Sequence, residues 1–145
     1  INRYYLNKNI KLVGVQSSKY IKSKLLDSNV IVSTSNKREG WGAVINEGML
    51  NSCIVVGTNQ GGGASQLINN NKNGFLYDAG NLHQLSDILK TCINKKNDNI
   101  YFESYSTIND LWNPKIAADR VIEFEMNASI IDYNNGPLKK SNWKK

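Results

Sequence analysis

The sequence predicts an α/β fold: a doubly wound parallel sheet with helices on both faces and a helical extension at the carboxy-terminal end. Three observations carry that prediction. Short runs rich in β-branched residues recur between Asn9 and Tyr77 and are mostly apolar throughout rather than alternating, the mark of strands buried on both sides. Amphipathic segments separate these runs, so strand and helix alternate as parallel pairing with crossover helices requires. Glycine-bearing loops follow two of the runs, at the strand ends where open α/β sheets hold their ligands.

The elements follow in order. "NIKLVGV" (9–15), β-branched and closing next to Gly14, is expected to be the first buried strand. "SSKYIKSKLLDS" reads as a helix with Ser17 or Ser18 as N-cap and Tyr20, Ile21, Leu25 and Leu26 at helical spacing. "NVIVSTS" is the next strand, turning small and polar at its end, and the loop "NKREGWG" leads into a helix from about Gly42 to Leu50 that carries Val44, Ile45 and Met49. "CIVVGT" is a continuously apolar strand, "NQGGGASQLI" a glycine-rich turn into a short helix, and "NGFLY" one more strand. "NLHQLSDILKTCI" is an amphipathic helix capped by Asn81. From about Ile100 the alternation stops. Helical segments broken at Pro114 follow, with Trp112, Ile116, Val121, Ile122 and Phe124 as their apolar faces. The expected division is a Rossmann-like domain over 1–99 and a helical segment with a basic tail over 100–145.

A chain of 145 residues, 40% hydrophobic and 21% charged, is globular and long enough to bury a core. No apolar run approaches the roughly 20 residues that span a bilayer. The start lacks the layout of a signal peptide, and with Ile1 in place of Met the sequence is expected to be part of a longer chain. Cys53 and Cys92 are far apart and have no His or Cys beside them, so they read as reduced thiols rather than metal ligands, in a cytoplasmic protein. In that setting the sequon at Asn127 means nothing. The net charge of +6 resides largely in the closing "LKKSNWKK". Such a tail is most often simply solvated. An anionic membrane surface is the alternative, which would make the protein peripheral to the inner face of the membrane. Neither a recognition helix nor a basic-aromatic sheet motif is visible, so nucleic acid is not expected as a partner.

The chemistry concentrates in "NKREGWGAVINEGM", where Glu39 and Glu47 stand eight positions apart. Glu39 precedes a helix start and Glu47 lies within that helix. Their axial separation is about 7 Å, too far to share a proton but suited to gripping two parts of one extended ligand. The free amides of the helix start lie between them and suit a phosphate. Gly40 and Gly42 let a ligand approach without a Cβ in the way. Hydroxyls at one end, phosphate in the middle and hydroxyls at the other describe a sugar, a diphosphate and a ribose.

"REGWGAVINEGM", "CIVVGTNQGGGASQLI" and "NGFLY" together resemble the carboxy-terminal, donor-binding domain of family-4 glycosyltransferases of the GT-B fold. The resemblance covers about residues 9–93 and extends to "LWNPKIAADRV", similar to the family's closing helix. It implies retaining transfer of a sugar from a nucleotide diphosphate sugar to a saccharide or lipid-linked acceptor. By position, Glu39 would hold donor-sugar hydroxyls and stabilise positive charge at the anomeric carbon. The amides of Trp41, Gly42 and Ala43, beside Gly40, would contact sugar or phosphate, and Glu47 would take the ribose. Val15 and Gln16 fall where the family meets the nucleobase. No metal or other cofactor is implied. The family's Gly-Arg and Lys-Gly clamp for the diphosphate lies ahead of the first strand read here, as does its acceptor-binding domain. The chain alone is therefore expected to be inactive. Lys37 and Arg38 do not match the clamp positions, and Gln66 stands where many relatives are acidic.

Blander readings stand beside these. Glu39 could cap the following helix, Glu47 could be a solvated helix residue, and Trp41 could shield the site by packing. "QGGGAS" could be a turn that needs positive φ, and His83 reads as a surface residue. Two other functions share the architecture: a nucleotide-sugar binding or assembly module without catalysis, and a sugar-nucleotide epimerase.

Overall fold

Val30–Ser33 (β1), Ile54–Thr58 (β2) and Gly74–Tyr77 (β3) pair in parallel in the order β1-β2-β3, with Val30 opposite Ile54 and Val56 opposite Phe75. The computed structural model describes residues 6, 8–94 and 98–126. Successive strand residues point to opposite faces, and both faces are covered. On one, Val55 packs with Ile45 and Met49 of α2 (Val44–Leu50), Ala64 and Leu67 of α3 (Gly62–Leu67), and Ile108. On the other, Ile54, Val56, Phe75 and Tyr77 meet Leu85, Ile88 and Leu89 of α4 (Leu82–Asn94) and Ile100 and Tyr101 of α5 (Asp98–Ser106). β2 is buried at every residue, which is why its run is apolar without alternation.

The helix caps are local chemistry. Of the two candidate serines it is Ser17 that caps α1 (Ser18–Leu26), its Oγ accepting from the Tyr20 N–H at 3.3 Å. Asn81 caps α4 through the Gln84 N–H at 3.0 Å. Pro114 opens α6 (Pro114–Met126), a position where its missing N–H removes no helical bond. Asn113 Oδ1 accepts from the Ile116 N–H at 2.9 Å at that same start. Between α5 and α6, Thr107–Leu111 form a π-helical turn.

Three expectations are corrected. The run 9–15 is not a strand. β1 bonds only to β2, and among the described residues no strand lies beyond it, so the run has no ladder to join; Leu12 is 83% exposed and Val15 fully so. The helix expected from Gly42 begins at Val44, because Gly42 takes φ +73°, outside the helical region. Val121 and Ile122 of α6 are exposed rather than packed, no described element lying over them. The Phe124 side chain, the Asn127 sequon and the basic tail lie outside the described residues.

Cys53 and Cys92 form no disulfide, and both are buried. Cys53 Sγ donates to Ser28 O at 3.3 Å, and the Ser104 hydroxyl bonds Cys53 O at 2.8 Å, tying α5 to the entry of β2. Burial pushes both thiols above the ordinary value of 9.0. In that direction the unfolded chain ionises first, so stability falls as pH rises past that value. The native protein is expected to resist iodoacetamide at both cysteines while the urea-unfolded chain labels twice, a contrast that mass spectrometry reads directly.

Candidate functional site

The loops that leave β1 and β2 meet at the carboxyl rim of the sheet. Thr58, the last residue of β2, donates its hydroxyl to Ser35 O, and the Ser33 and Ser35 hydroxyls lie 2.8 Å apart. Asn36 then turns the chain: its Oδ1 accepts from the Arg38 N–H at 2.9 Å and its carbonyl from the Glu39 N–H at 3.0 Å. Glu39 is left exposed at the rim, with its carboxylate folded back on Gly42. A Cβ on Gly42 would stand 3.4 Å from Glu39 Cδ and Oε2. Glycine is favoured there by the positive φ, whereas a Cβ would make only an ordinary contact with the carboxylate. A Cβ on Gly40 would meet only open space.

α2 begins behind Ala43 with no side-chain cap. Glu39 is therefore not the cap of this helix, and the first amides of α2 take no side-chain acceptor. Glu47 falls in the first turn of α2, nearer the positive end of the helix than a start at Gly42 implied. It is exposed and lines a groove of about 330 Å³ between α2 and α1, together with Ser18, Lys22 and Leu25 of α1 and with Asn51. Val15 and Gln16 directly precede Ser17, the cap of α1. Gln16 Nε2 donates to Val13 O.

The glycine-rich turn has a reason other than positive φ. None of Gly61, Gly62 and Gly63 takes a positive φ. What the turn needs is proximity: a Cβ on Gly62 would stand 2.1 Å from Gly40 O, and one on Gly63 2.5 Å from Trp41 O. The Gly63 N–H donates to Trp41 O at 2.5 Å. The start of α3 thus lies directly against the backbone of the Glu39 loop. Trp41 also donates Nε1–H to Asn46 Oδ1 at 2.6 Å and rests on Trp112, ring centroids 5.4 Å apart. Its side chain packs, yet remains 40% exposed.

The fold recurs in known proteins. Residues 1–107 match the family model described as glycosyl transferases group 1. The chain belongs to this family. The group 1 glycosyl transferase chain is similar to the C-terminal domain of the group 1 family protein LpcC from Francisella tularensis, at 26% identity and TM-score 0.67 over 74% of this chain and 56% of that one. It is also similar to Anabaena Alr3699/HepE in complex with UDP-glucose, at 26% identity and TM-score 0.68 over 89% of this chain and 35% of that one. The HepE complex with UDP gives the same identity and coverage with TM-score 0.69. The chain therefore spans 56% of the solved LpcC C-terminal domain and 35% of the HepE chain. The comparison with curated proteins gave no match. The Rossmann-like parallel sheet, with helices on both faces, is that of GT-B glycosyltransferase C-terminal domains.

Within this glycosyl transferase domain, Glu39, Gly40, Trp41, Gly42 and Ala43 stand together on the rim, while Glu47 faces the α1–α2 groove. Val15 and Gln16 adjoin the start of α1, and no hydrogen bond among the described residues joins them to the rim. The sequence reading gave no site role to Asn36, Asn46, Gly62 or Trp112, placing Trp112 only on an apolar helical face and Gly62 only in the glycine-rich turn. An Asn two residues ahead of Arg38 is a turn signal that was open to reading. For the contact with Trp112 the sequence carries no signal. His83 lies on the surface, 3.1 Å from Asp87, whose carboxyl is held below its ordinary value first by the Lys90 hydrogen bond and then by His83. Among the described residues no group of three or more His, Cys, Asp and Glu is arranged to hold a metal ion, and no helix is long and apolar enough to cross a membrane.

Proposed function

We propose that the chain is the donor-binding part of a retaining, family-4 glycosyltransferase of the hexosyl type. It serves transfer from a nucleotide diphosphate sugar to a saccharide or lipid-linked acceptor. The observation that carries this reading is the docking of the Glu39–Gly42 loop on the glycine-built start of α3, which puts a carboxylate and an uncapped helix start on one rim. Support comes from Alr3699/HepE, solved with UDP-glucose and with UDP and glucose. In this reading Glu39 holds the donor sugar, the amides of residues 41–43 meet sugar and phosphate, Glu47 takes the ribose, and Val15 and Gln16 meet the base. Residues 1–99 are read as the donor-binding domain and 100–145 as a helical segment followed by the basic tail. The acceptor binds a further, amino-terminal domain. In this reading the reaction takes place in the cytoplasm.

The test is ligand-observed NMR with UDP-, GDP- and ADP-sugars, on this chain and on the full-length protein. One nucleotide sugar is expected to bind, near millimolar for the chain alone, and the signal is expected to fade in Glu47→Ala. Positive groups of the protein and the helix dipole, rather than a metal, are proposed to balance the diphosphate, so EDTA should leave binding unchanged. Silence from both proteins with all three nucleotides removes the donor reading.

A further inference from the structure

Trp112 stands far along the chain from the Glu39 loop, yet its ring is the surface on which that loop's tryptophan rests. The ring centroids of Trp41 and Trp112 are 5.4 Å apart and their planes tilt by 32°, within the range of attractive aromatic pairs. The Trp41 ring N–H is held by Asn46 and its carbonyl by the Gly63 N–H. Trp41 is also the residue between Gly40 and Gly42, the two positions with the most backbone freedom to lose. Whatever pins Trp41 pins the loop.

Trp112 is itself fixed from both sides. It closes the π-helical turn, its N–H donating to Ile108 O at 3.2 Å. Ile108 is buried with Ile45 and Met49 of α2, and Thr107 Oγ1 accepts from Asn73 Nδ2 at 2.8 Å. On the other side Asn113 donates to Asn109 O at 2.5 Å and accepts from the Ile116 N–H. A π-turn carries about one residue more than an α-turn. It therefore shifts the residues after it by about 100° around the axis.

We propose that Trp112 is a positioning residue for donor recognition: through Trp41 it holds the Glu39–Gly42 loop in one conformation. The Glu39 carboxylate and the neighbouring amides are then already in place when the donor arrives. The proposal rests on the donor reading above and extends it to a residue outside the Glu39–Glu47 motif. Its physical basis is preorganisation, since a loop ordered beforehand does not charge its ordering entropy to binding.

The experiment compares Trp112→Ala and Trp112→Phe in the full-length protein, with UDP-glucose as the first probe. Trp112→Ala is expected to weaken the nucleotide sugar about three- to tenfold, the worth of an aromatic pair. It should also speed amide exchange at Gly63, whose N–H rests on the Trp41 carbonyl. Trp112→Phe should restore most of both. Ile54→Val, which trims the core on the opposite face of the sheet, should lower Tm and change neither readout. If Trp112→Ala does not fold, Trp112→Leu replaces it, keeping apolar bulk without the ring. Unchanged affinity in the Ala or Leu variant overturns the proposal, whatever the exchange rate. Equal losses in the Phe and Ala variants overturn it too, because an aromatic ring against Trp41 would then not be what holds the loop. A wild-type protein that binds none of the nucleotide sugars overturns the donor reading, and that outcome is visible before any variant is made.

Discussion

Glu39→Ala is expected to lower the sugar-transfer rate of the full-length enzyme by about 10²–10³-fold, the scale of losing one group aimed at developing charge. Folding should be almost untouched. Glu39 is exposed and caps no helix, and substitutions at such positions stay within about 0.5 kcal/mol. The loss should appear in kcat more than in KM, because positive charge at the anomeric carbon exists only in the transition state. Glu39→Gln separates the two roles proposed for the side chain. It keeps a hydrogen-bond acceptor for the donor hydroxyls but removes the negative charge. A Gln variant as slow as Ala assigns the effect to charge; one close to wild type assigns it to hydroxyl binding. A transfer rate unchanged in Glu39→Ala would sink the catalytic role and leave a binding module.

How much of this was legible beforehand depends on whether the deciding contact is local. β2 could be read because each of its residues is buried, so apolarity alone identifies it. The caps Ser17 and Asn81 act within three residues of themselves, and such bonds leave a mark in sequence. Residues 9–15 misled because composition reports fitness for a sheet but says nothing about whether a neighbouring strand is there to bond. The two glutamates were conspicuous as carboxylates around a glycine-flanked turn. Trp41 meets Trp112 across a long stretch of chain, just after a π-turn that no residue pattern announces. Gly62 and Gly63 were visible as glycines, but the reason for them was not. That reason is the backbone of another loop, brought up by the fold.

Those glycines give the sharpest structural expectation. Gly61, Gly62 and Gly63 are adjacent and chemically identical, yet alanine should affect Gly61 and Gly62 very differently. At Gly61, φ is −76° and a Cβ would sit 3.5 Å from Ala64 Cβ, an ordinary contact. The small loss of replacing an N-cap glycine is offset by the lower entropy of the unfolded chain, so the net change should stay within about 0.5 kcal/mol. At Gly62 the new Cβ would lie 2.1 Å from Gly40 O and 3.4 Å from Trp41 Cα. Both are backbone atoms of the Glu39 loop, and no rotamer change relieves the clash. Either α3 or the loop must move, at a cost of about 1–3 kcal/mol or more. Urea melts should therefore separate the two variants clearly. Donor binding adds a second reading, because the strain falls on the loop that carries Glu39. Gly62→Ala should weaken the nucleotide sugar even under conditions where the protein is fully folded, and Gly61→Ala should not. Equal stability and equal affinity in the two variants would mean that the loop and the start of α3 are not in contact in solution. The rim would then not be held in place by α3, and the shared-rim argument for the site would lose its footing.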